Sequence, residues 1–314
     1  MSSTASRPAD AAPRPSVLCL GETMALVTPR EAVRLRTAET FAIKAGGAES
    51  TVAMYVADSG HVARWVSWLG DDPLGERILD ELRAHGVDVS AVRRRHDAPT
   101  AVYLKDPGDG DTTVYYYRAG SAASRMDESV LRDIDWSGAA VLHVTGITAG
   151  LSESCAGMLA AVVAEARRRG VTVSFDVNYR PRLWPVETAA PRLAALAAGA
   201  DIVFVGRDEA ETLWGDGDAA RLRSALGIAG RLVVKDGDIG ATEVWSEDGI
   251  DRRAFVPANT VDVVEPVGAG DAFTGGYLVG LLEGEGPEGR LRRGHRFAAR
   301  ALGSTHDFVP RGAV

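Results

Sequence analysis

Short apolar runs rich in β-branched residues alternate with helical patterns along most of the chain. The runs cover residues 16–20, 63–69, 139–144, 171–176, 201–205 and 231–235. The helical patterns between them cover residues 74–85, 152–169, 207–214 and 218–226. Strands that alternate with helices in this way form a mostly parallel sheet with helices on both faces. The sequence therefore predicts an α/β fold.

Two segments interrupt the alternation with additional strand-like sequence. Residues 98–106 and 111–118 flank Pro107-Gly-Asp-Gly110, which is typical of a hairpin turn. Residues 23–45 are also strand-like and lack a long helical pattern. We predict one α/β domain over residues 16–314 with a small appended β-sheet from about residues 23–45 and 97–119. Residues 1–15, rich in Ser, Ala and Pro, are expected to form a disordered tail.

Composition excludes several classes of protein. The 314 residues are 46% hydrophobic and 25% charged, an ordinary globular balance that excludes collagen-like and disordered chains. Cys19 and Cys155 lie in apolar sequence, as buried thiols do in a reducing compartment, so we expect a cytoplasmic protein. A net charge of −8 argues against a general nucleic-acid partner. No apolar run approaches the about 18 residues of a membrane helix, so no membrane partner is expected.

Polar clusters follow several of the apolar runs. Asn178 and Arg180 follow one run, Glu209 follows the next, and Lys235 ends a third. In open α/β sheets, ligands bind beyond the carboxyl ends of the strands. Ordinary turns would explain the glycines at these positions but explain the charged and amide side chains less well. Lys235 is also one of only three lysines in a chain with 32 arginines.

A glycine-rich stretch at residues 265–278, EPVGAGDAFTGGYL, is the most informative segment. Gly268, Ala269 and Gly270 precede a helical pattern that extends to about residue 282. Free N–H groups and the dipole at a helix N-terminus bind anions, and glycine lets the backbone approach an oxyanion closely. Asp271 at this position can accept the proton of an attacking hydroxyl, but it fits a helix-capping role equally well.

Motifs of several other enzyme classes are absent from the sequence. Residues 284–289, GEGPEG, match the dinucleotide pattern G-x-G-x-x-G only formally, because they follow a helical pattern and Pro287 interrupts them. The chain contains no Walker-type phosphate loop and no zinc-ligand spacing. Neither G-x-S-x-G nor the H-R-D signature of protein kinases is present.

Several segments together resemble the ribokinase-like (pfkB) family of carbohydrate kinases. They are KAGGAESTVA at residues 44–53, GDDPLG at 70–75, YYYRAGSAAS at 115–124, TGI at 145–147, DVNYRPRLW at 176–184 and the glycine-rich stretch at 268–271. The resemblance extends from about residue 16 to the C-terminus. Within the family, the YYRAGS and DVNYR segments resemble kinases of the 2-keto-3-deoxygluconate kinase type. In this family the small appended sheet acts as a lid over the sugar.

The resemblance implies ATP-dependent phosphorylation of a keto-deoxy sugar acid, with 2-dehydro-3-deoxy-D-gluconate and its 6-phosphate as the first candidates. It implies Asp271 as the catalytic base and Gly268, Ala269 and Gly270 as the anion hole. The implied sugar-binding residues are Gly46, Gly47, Tyr103, Tyr116, Arg118, Arg180 and Asp271. The implied ATP-binding residues are Asn178, Arg180, Lys235, Gly237, Gly240, Gly268, Ala269, Gly270 and His295. The family also implies Mg²⁺, with Glu209 as a water-mediated ligand, leaves open a monovalent cation, and suggests homo-oligomers that pair through lid strands.

The residues themselves favour an acidic sugar. Arg118 and Arg180 carry planar guanidinium forks suited to a carboxylate, and a neutral hexose would not require two of them. A cross-strand pair for Arg118 and a surface position for Arg180 are the alternatives. A fructokinase or another pfkB-type sugar kinase therefore stays open.

The sequence departs from the family pattern at a few positions. Thr51 stands where the family has Asn, Glu265 replaces an Asp, and Gly206 and Arg207 replace part of an acidic metal motif that retains only Glu209. These departures would also fit a catalytically weak sugar-acid sensor on a kinase scaffold. The intact Asp271 argues against that alternative.

Overall fold

The computed structural model describes residues 15–31, 33–108, 112–265, 267–304 and 306–312. Its strands are β1 Ser16–Leu20, β2 Met24–Pro29, β3 Phe41–Gly46, β4 Val62–Gly70, β5 Val92–Arg95, β6 Val102–Pro107, β7 Thr112–Tyr117, β8 Ala139–Thr145, β9 Thr172–Asp176, β10 Ile202–Gly206, β11 Arg231–Asp236, β12 Gly240–Glu247 and β13 Ile250–Pro257. Its α-helices are α1 Ala48–Asp58, α2 Pro73–Ala84, α3 Gly146–Leu151, α4 Glu153–Arg168, α5 Val186–Ala198, α6 Arg207–Trp214, α7 Ala219–Ala225, α8 Ala269–Leu282 and α9 Pro287–Leu302. Residues 1–14 of the predicted tail and residues 109–110 of the predicted turn lie outside the described residues.

The main sheet has nine strands in the order β13-β12-β11-β10-β9-β8-β1-β4-β5. The pairs from β11 to β5 are parallel, and each of the six predicted strands is present within one residue of its predicted ends. The prediction of an α/β fold is confirmed. The short strand β5 and the antiparallel hairpin β12–β13, both at sheet edges, were not predicted. Asp248 and Gly249, with φ of 53° and 75°, form the turn of this hairpin.

Hydrophobic cores cover both faces of this sheet. Leu18 and Leu20 belong to the core that contains α4, whereas Val17 and Cys19 belong to the core that contains α1 and α8. This division follows from the two-residue alternation of side chains along a strand. Because both faces are covered, the central strands are mostly apolar, which made them easy to recognise in the sequence. His143 and Ser174 are buried polar exceptions on β8 and β9, and they form a hydrogen bond with each other.

The helices predicted from the sequence, α2, α4, α6, α7 and α8, begin and end within about one residue of their predicted bounds, whereas α1, α3, α5 and α9 were not predicted. The Ser152 hydroxyl accepts a hydrogen bond from Cys155 N and thereby caps α4, and the Asp72 carboxylate accepts one from Gly75 N and caps α2. Gly86 and Gly170 follow α2 and α4 with φ of 79° and 70°, conformations that glycine adopts without strain. In the described residues, no helix combines the length and the apolar character needed to cross a bilayer.

A second sheet has four strands in the order β3-β2-β6-β7, and we call it the lid sheet. The parallel pairing of β2 with β6 joins segments that are distant in sequence, as predicted for the small appended sheet. Tyr103 on β6 is buried, whereas Tyr115 and Tyr117 on β7 are 47% and 66% exposed. The lid sheet thus has an inner face toward the main sheet and an outer face toward solvent.

Candidate active site

A cavity of about 790 Å³ lies between the inner face of the lid sheet and the carboxyl ends of the main-sheet strands. This is the edge at which open α/β sheets bind ligands. The predicted site residues that line it are Gly46, Gly47, Tyr103, Tyr116, Arg118, Asn178, Arg180, Glu209, Lys235, Gly237, Gly268, Gly270 and Asp271. The fold therefore brings together residues from most of the length of the chain.

The N-terminus of α8 forms one end of the cavity. Gly268 precedes this helix with φ of 83°, a left-handed conformation that favours glycine. Glycine has no side chain with which to cap the helix, so the first-turn N–H groups are available to an anion. Ala269 begins the helix between the two lining glycines, and Asp271 lies in its first turn.

Asp271 is a partly buried carboxyl group with charges of both signs around it. Its burial and the charge of Asp176 raise its pKa to about 7, against the lowering effect of Arg180 and Lys235. The Nδ2 group of Asn178 donates a hydrogen bond to Asp271 Oδ1 across 3.2 Å. A carboxyl group whose pKa lies near neutral pH is suited to accept a proton from a hydroxyl.

Lys235 connects two strands to the helix that carries Asp271. Its Nζ atom lies 2.8 Å from Asp176 Oδ2, an atom that also accepts a hydrogen bond from Thr274 on α8. Burial lowers the pKa of Lys235, but the charges of Asp176, Glu209 and Asp271 outweigh it and raise that pKa above its usual value. Lys235 is therefore a fixed cation at the cavity floor.

Asn178 has an uncommon backbone conformation. Its φ is 41°, which asparagine tolerates better than most residues with a side chain. The Asn178 N–H donates to Asp176 Oδ1 at 3.2 Å, which stabilises the turn after β9. This turn directs the Asn178 side chain toward Asp271.

Arg118 lines the cavity from the lid side and forms a salt bridge with Glu22. Its Nε donates to Glu22 Oε2 at 2.8 Å, and its guanidinium stacks 5.1 Å from the Tyr116 ring centre. Glu22 is fully buried directly after β1, and Ser121 also contacts it. The alternative predicted for Arg118 was a cross-strand pair. Arg118 instead pairs with Glu22, which follows β1 of the main sheet. Arg180 is exposed at the cavity mouth.

Glu209 connects the ends of two strands through backbone hydrogen bonds. Its Oε1 accepts from Tyr179 N and its Oε2 accepts from Gly206 N, each at 2.8 Å. Burial and the neighbouring Asp176 raise the pKa of Glu209. Over the described ranges, no three His, Cys, Asp or Glu side chains converge as a metal cage. Glu209 and the neighbouring Asp176 fit a Mg²⁺ ion that is bound mainly by nucleotide phosphates, because such an ion needs only one or two carboxylates from the protein.

Besides Ala269, two predicted nucleotide-contacting residues lie outside the cavity lining. The Nε2 atom of His295 lies 3.0 Å from the carbonyl oxygen of Val256, and its ring packs 5.1 Å from that of Phe273. A Cβ atom at Gly240 would lie 2.4 Å from the same carbonyl oxygen. His295 and Gly240 therefore support the packing of β13 rather than face the cavity.

The charged lining residues that were not predicted as site residues include Glu22, Lys105, Asp176 and Asp307. The scarcity of lysine that drew attention to Lys235 applies equally to Lys105 and would have identified it. Asp176 lies in a segment that carries the family resemblance. Glu22 follows the apolar run at residues 16–20, the same kind of signal that drew attention to Asn178, whereas Asp307 has no local signal.

The family model for pfkB family carbohydrate kinases matches residues 14–307. The chain belongs to the pfkB family of carbohydrate kinases. It is 37% identical to 2-dehydro-3-deoxygluconokinase of Bacillus subtilis strain 168, over 92% of this chain and 90% of that protein. It is 35% identical to 2-dehydro-3-deoxygalactonokinase of Haloferax volcanii, over 90% and 89%. Fructokinases are also among the similar proteins.

The structure of a PfkB protein from Polaromonas sp. JS666 is also similar to this kinase. The TM-score is 0.82 at 32% identity, and the match covers 94% of this chain and 97% of that one. The predicted family and ribokinase-like fold are confirmed, and this chain is a phosphotransferase that acts on a carbohydrate. Another similar structure, that of a fructokinase from Xylella fastidiosa at 27% identity and a TM-score of 0.81, contains bound ATP, and the match covers 93% of this chain and 94% of that one.

Proposed function

We propose that this kinase transfers the γ-phosphoryl group of ATP to a keto-deoxy sugar acid, with 2-dehydro-3-deoxy-D-gluconate and its 6-phosphate as substrate and product. One observation carries the proposal. Asp271, a partly buried carboxyl group whose pKa is raised to about 7, lies at a helix N-terminus in the same cavity as Arg118 and Arg180. The substrates of the similar proteins support the same class of acceptor.

The proposed chemistry uses the chain's own groups at each end of the transfer. Asp271 accepts the proton of the sugar hydroxyl as its oxygen attacks the γ-phosphorus. The bond from that phosphorus to the β–γ bridging oxygen breaks, and ADP leaves. The backbone N–H groups of Gly268, Ala269 and Gly270 compensate charge on the transferred group. Mg²⁺ would neutralise charge on the ATP phosphates, and Glu209 is the residue that would hold it through water.

The acidic class of substrate is supported by the donors that remain on the arginines. Glu22 accepts hydrogen bonds from Nε and Nη2 of Arg118, which leaves the N–H groups of Nη1 for a ligand. Arg180, at the cavity mouth, adds a second cation. A sugar carboxylate between the two would form charge-assisted hydrogen bonds that a neutral sugar cannot form.

A panel assay tests the proposal and its alternatives. ADP release would be measured with ATP, Mg²⁺ and, in turn, 2-dehydro-3-deoxygluconate, its galactonate epimer and fructose. We expect turnover with one or both sugar acids and at least about tenfold lower kcat/KM with fructose. A preference for fructose would replace the proposal with a fructokinase. Sugar-acid binding without ADP release from any acceptor would replace it with a sensor.

Two further features of the family are measured in the same preparation. Exchange of K⁺ for an organic cation in the assay buffer shows whether a monovalent cation takes part. Light scattering of the purified chain shows whether it forms a homo-oligomer. The outer face of the lid sheet, with Tyr115 and Tyr117 exposed, is the surface that we propose for such pairing.

A further inference from the structure

Lys105 extends from lid strand β6 to two carboxylates of the main domain. Its side chain is buried, and its Nζ atom lies 2.5 Å from Glu265 Oε1 and 3.7 Å from Asp307 Oδ1. Glu265 lies just before Gly268, and Asp307 lies in the segment after α9. One ammonium group therefore joins the lid to both segments that flank the anion-binding turn.

Asp307 is packed directly against that turn. A Cβ atom at Gly268 would lie 2.8 Å from Asp307 Cα and 3.0 Å from its carbonyl oxygen. Tyr103, which shares the inner face of β6 with Lys105, donates a hydrogen bond to Asp307 Oδ2 at 3.4 Å. Two residues of the lid strand, Tyr103 and Lys105, therefore contact the residue that packs against the backbone before Asp271.

The charges make this contact costly to lose. Glu265 and Asp307 are largely buried, and Lys105 is the cation that lies between them. Burial raises the pKa of Asp307, and the charge of Lys105 partly offsets this effect. Without Lys105, two acidic groups would remain without this partner beside the turn where a polyanionic nucleotide must bind.

We propose that Lys105 is a positioning residue that couples closure of the lid sheet to the geometry of the anion-binding turn at Gly268–Gly270. The inference rests on the proposed role of that turn in phosphoryl transfer. With the lid displaced, Lys105 leaves its partners and the turn loses support from Asp307. With the lid in place, the turn is fixed and the cavity is shielded from water, so that transfer to sugar is favoured over hydrolysis of ATP.

The test compares Lys105→Met with Lys44→Met, a substitution of another lysine in the lid sheet, on β3. We expect Lys105→Met to lower kcat roughly 10- to 100-fold, because small misplacements at a reacting centre have effects of that size. We also expect more ATP hydrolysed per sugar phosphorylated, and partial recovery in Lys105→Arg. Lys44→Met should stay within about twofold of the wild type for both quantities.

A double variant separates coupling from general damage. Lys105→Met with Glu265→Gln removes the buried ammonium group together with the carboxylate that would otherwise lack a partner. The kcat of the double variant should therefore be severalfold higher than the value expected if the reductions in the two single variants multiplied. Three results would each overturn the inference. The first is that the two reductions in kcat multiply, and the second is that Lys105→Met has a kcat near that of the wild type. The third is that the unfolded fraction of Lys105→Met accounts for its entire loss of activity.

Hydrogen exchange tests Lys105 independently of the acceptor. We expect faster amide exchange over residues 102–107 and 112–117 in Lys105→Met, but not in Lys44→Met. Unchanged exchange in these strands contradicts the role of Lys105 even if the kinase is active. If the wild type phosphorylates no sugar acid, the proposed substrate is contradicted. The hydrogen-exchange result then still tests the role of Lys105.

Discussion

Asn178 Nδ2 donates a hydrogen bond to Asp271 Oδ1, and this contact joins the carboxyl end of β9 to the first turn of α8. It leaves the second oxygen of the Asp271 carboxylate free of Asn178 and able to face an acceptor hydroxyl. The two residues are 93 positions apart in the chain. The proposed base is therefore oriented by the turn at the end of a strand rather than by its own helix.

Replacement of Asp271 by Asn tests its role as the base. The amide keeps the size of the side chain but cannot accept the proton, so kcat should fall by about 10²- to 10⁴-fold. Binding of ATP, measured by calorimetry, should stay within about threefold of the wild type because the turn at Gly268–Gly270 is unchanged. A variant that retains a kcat within tenfold of the wild type, about 1.4 kcal/mol in barrier height, would exclude Asp271 as the base.

The pH dependence of kcat/KM reports the same carboxyl group in the free enzyme. Its pKa is raised to about 7, and the base acts only when deprotonated, so kcat/KM should be constant at high pH and fall below that pKa. Because the positive charge of Lys235 lowers the pKa of Asp271, Lys235→Met should move the midpoint to higher pH. A profile with its acid limb near the ordinary aspartate value would contradict the assignment.

The main sheet was predictable because each central strand is buried on both faces and is therefore mostly apolar. The hairpin β12–β13 was not, because it lies at the sheet edge and carries exposed residues such as Arg252 and Arg253. Its turn, Asp248-Gly249, is a dipeptide typical of hairpins and could have indicated the two strands. Edge strands thus need turn chemistry as well as hydrophobic pattern for recognition.

Within the candidate site, local chemistry was predictable and distant pairing was not. The turn before Asp271 carries its glycines and its acid within a few residues, so the sequence alone indicates an anion site. The pairs Glu22–Arg118 and Lys105–Glu265 span 96 and 160 positions, and only the topology brings them together. His295 lies on the buried face of α9, a placement that sequence position alone does not define.

Loss of Arg118 should affect the sugar more than the nucleotide. Arg118→Met should raise KM for the sugar acid at least about tenfold and leave KM for ATP within about twofold, because a charge-assisted hydrogen bond contributes roughly 1.5–3 kcal/mol. Burial raises the pKa of Glu22, and Arg118 counteracts that shift. The single variant therefore leaves Glu22 buried without its cationic partner. A second variant, Arg118→Met with Glu22→Gln, controls for this effect. Equal rises in both KM values would show that Arg118 supports the fold and does not contact the sugar.

The last prediction concerns Gly21 and the buried carboxyl group beneath the cavity. Glu49, in the first turn of α1, accepts hydrogen bonds at 2.8 Å from Thr145 and Thr148 through Oε1. A Cβ atom at Gly21 would lie 2.1 Å from the Glu49 carboxyl carbon. Gly21→Ala must therefore displace Glu49 or the end of β1.

Gly21→Ala should lower the free energy of unfolding by about 2 kcal/mol or more, since overpacking and broken buried hydrogen bonds each have costs of that order. Gly157→Ala is the matched control: Gly157 is exposed on α4, and a Cβ atom there would have no neighbour within 4 Å. That variant should gain about 0.5–1 kcal/mol, because alanine favours a helix. Urea unfolding of both variants measures these changes, and an unchanged midpoint for Gly21→Ala would show that Glu49 can move without cost.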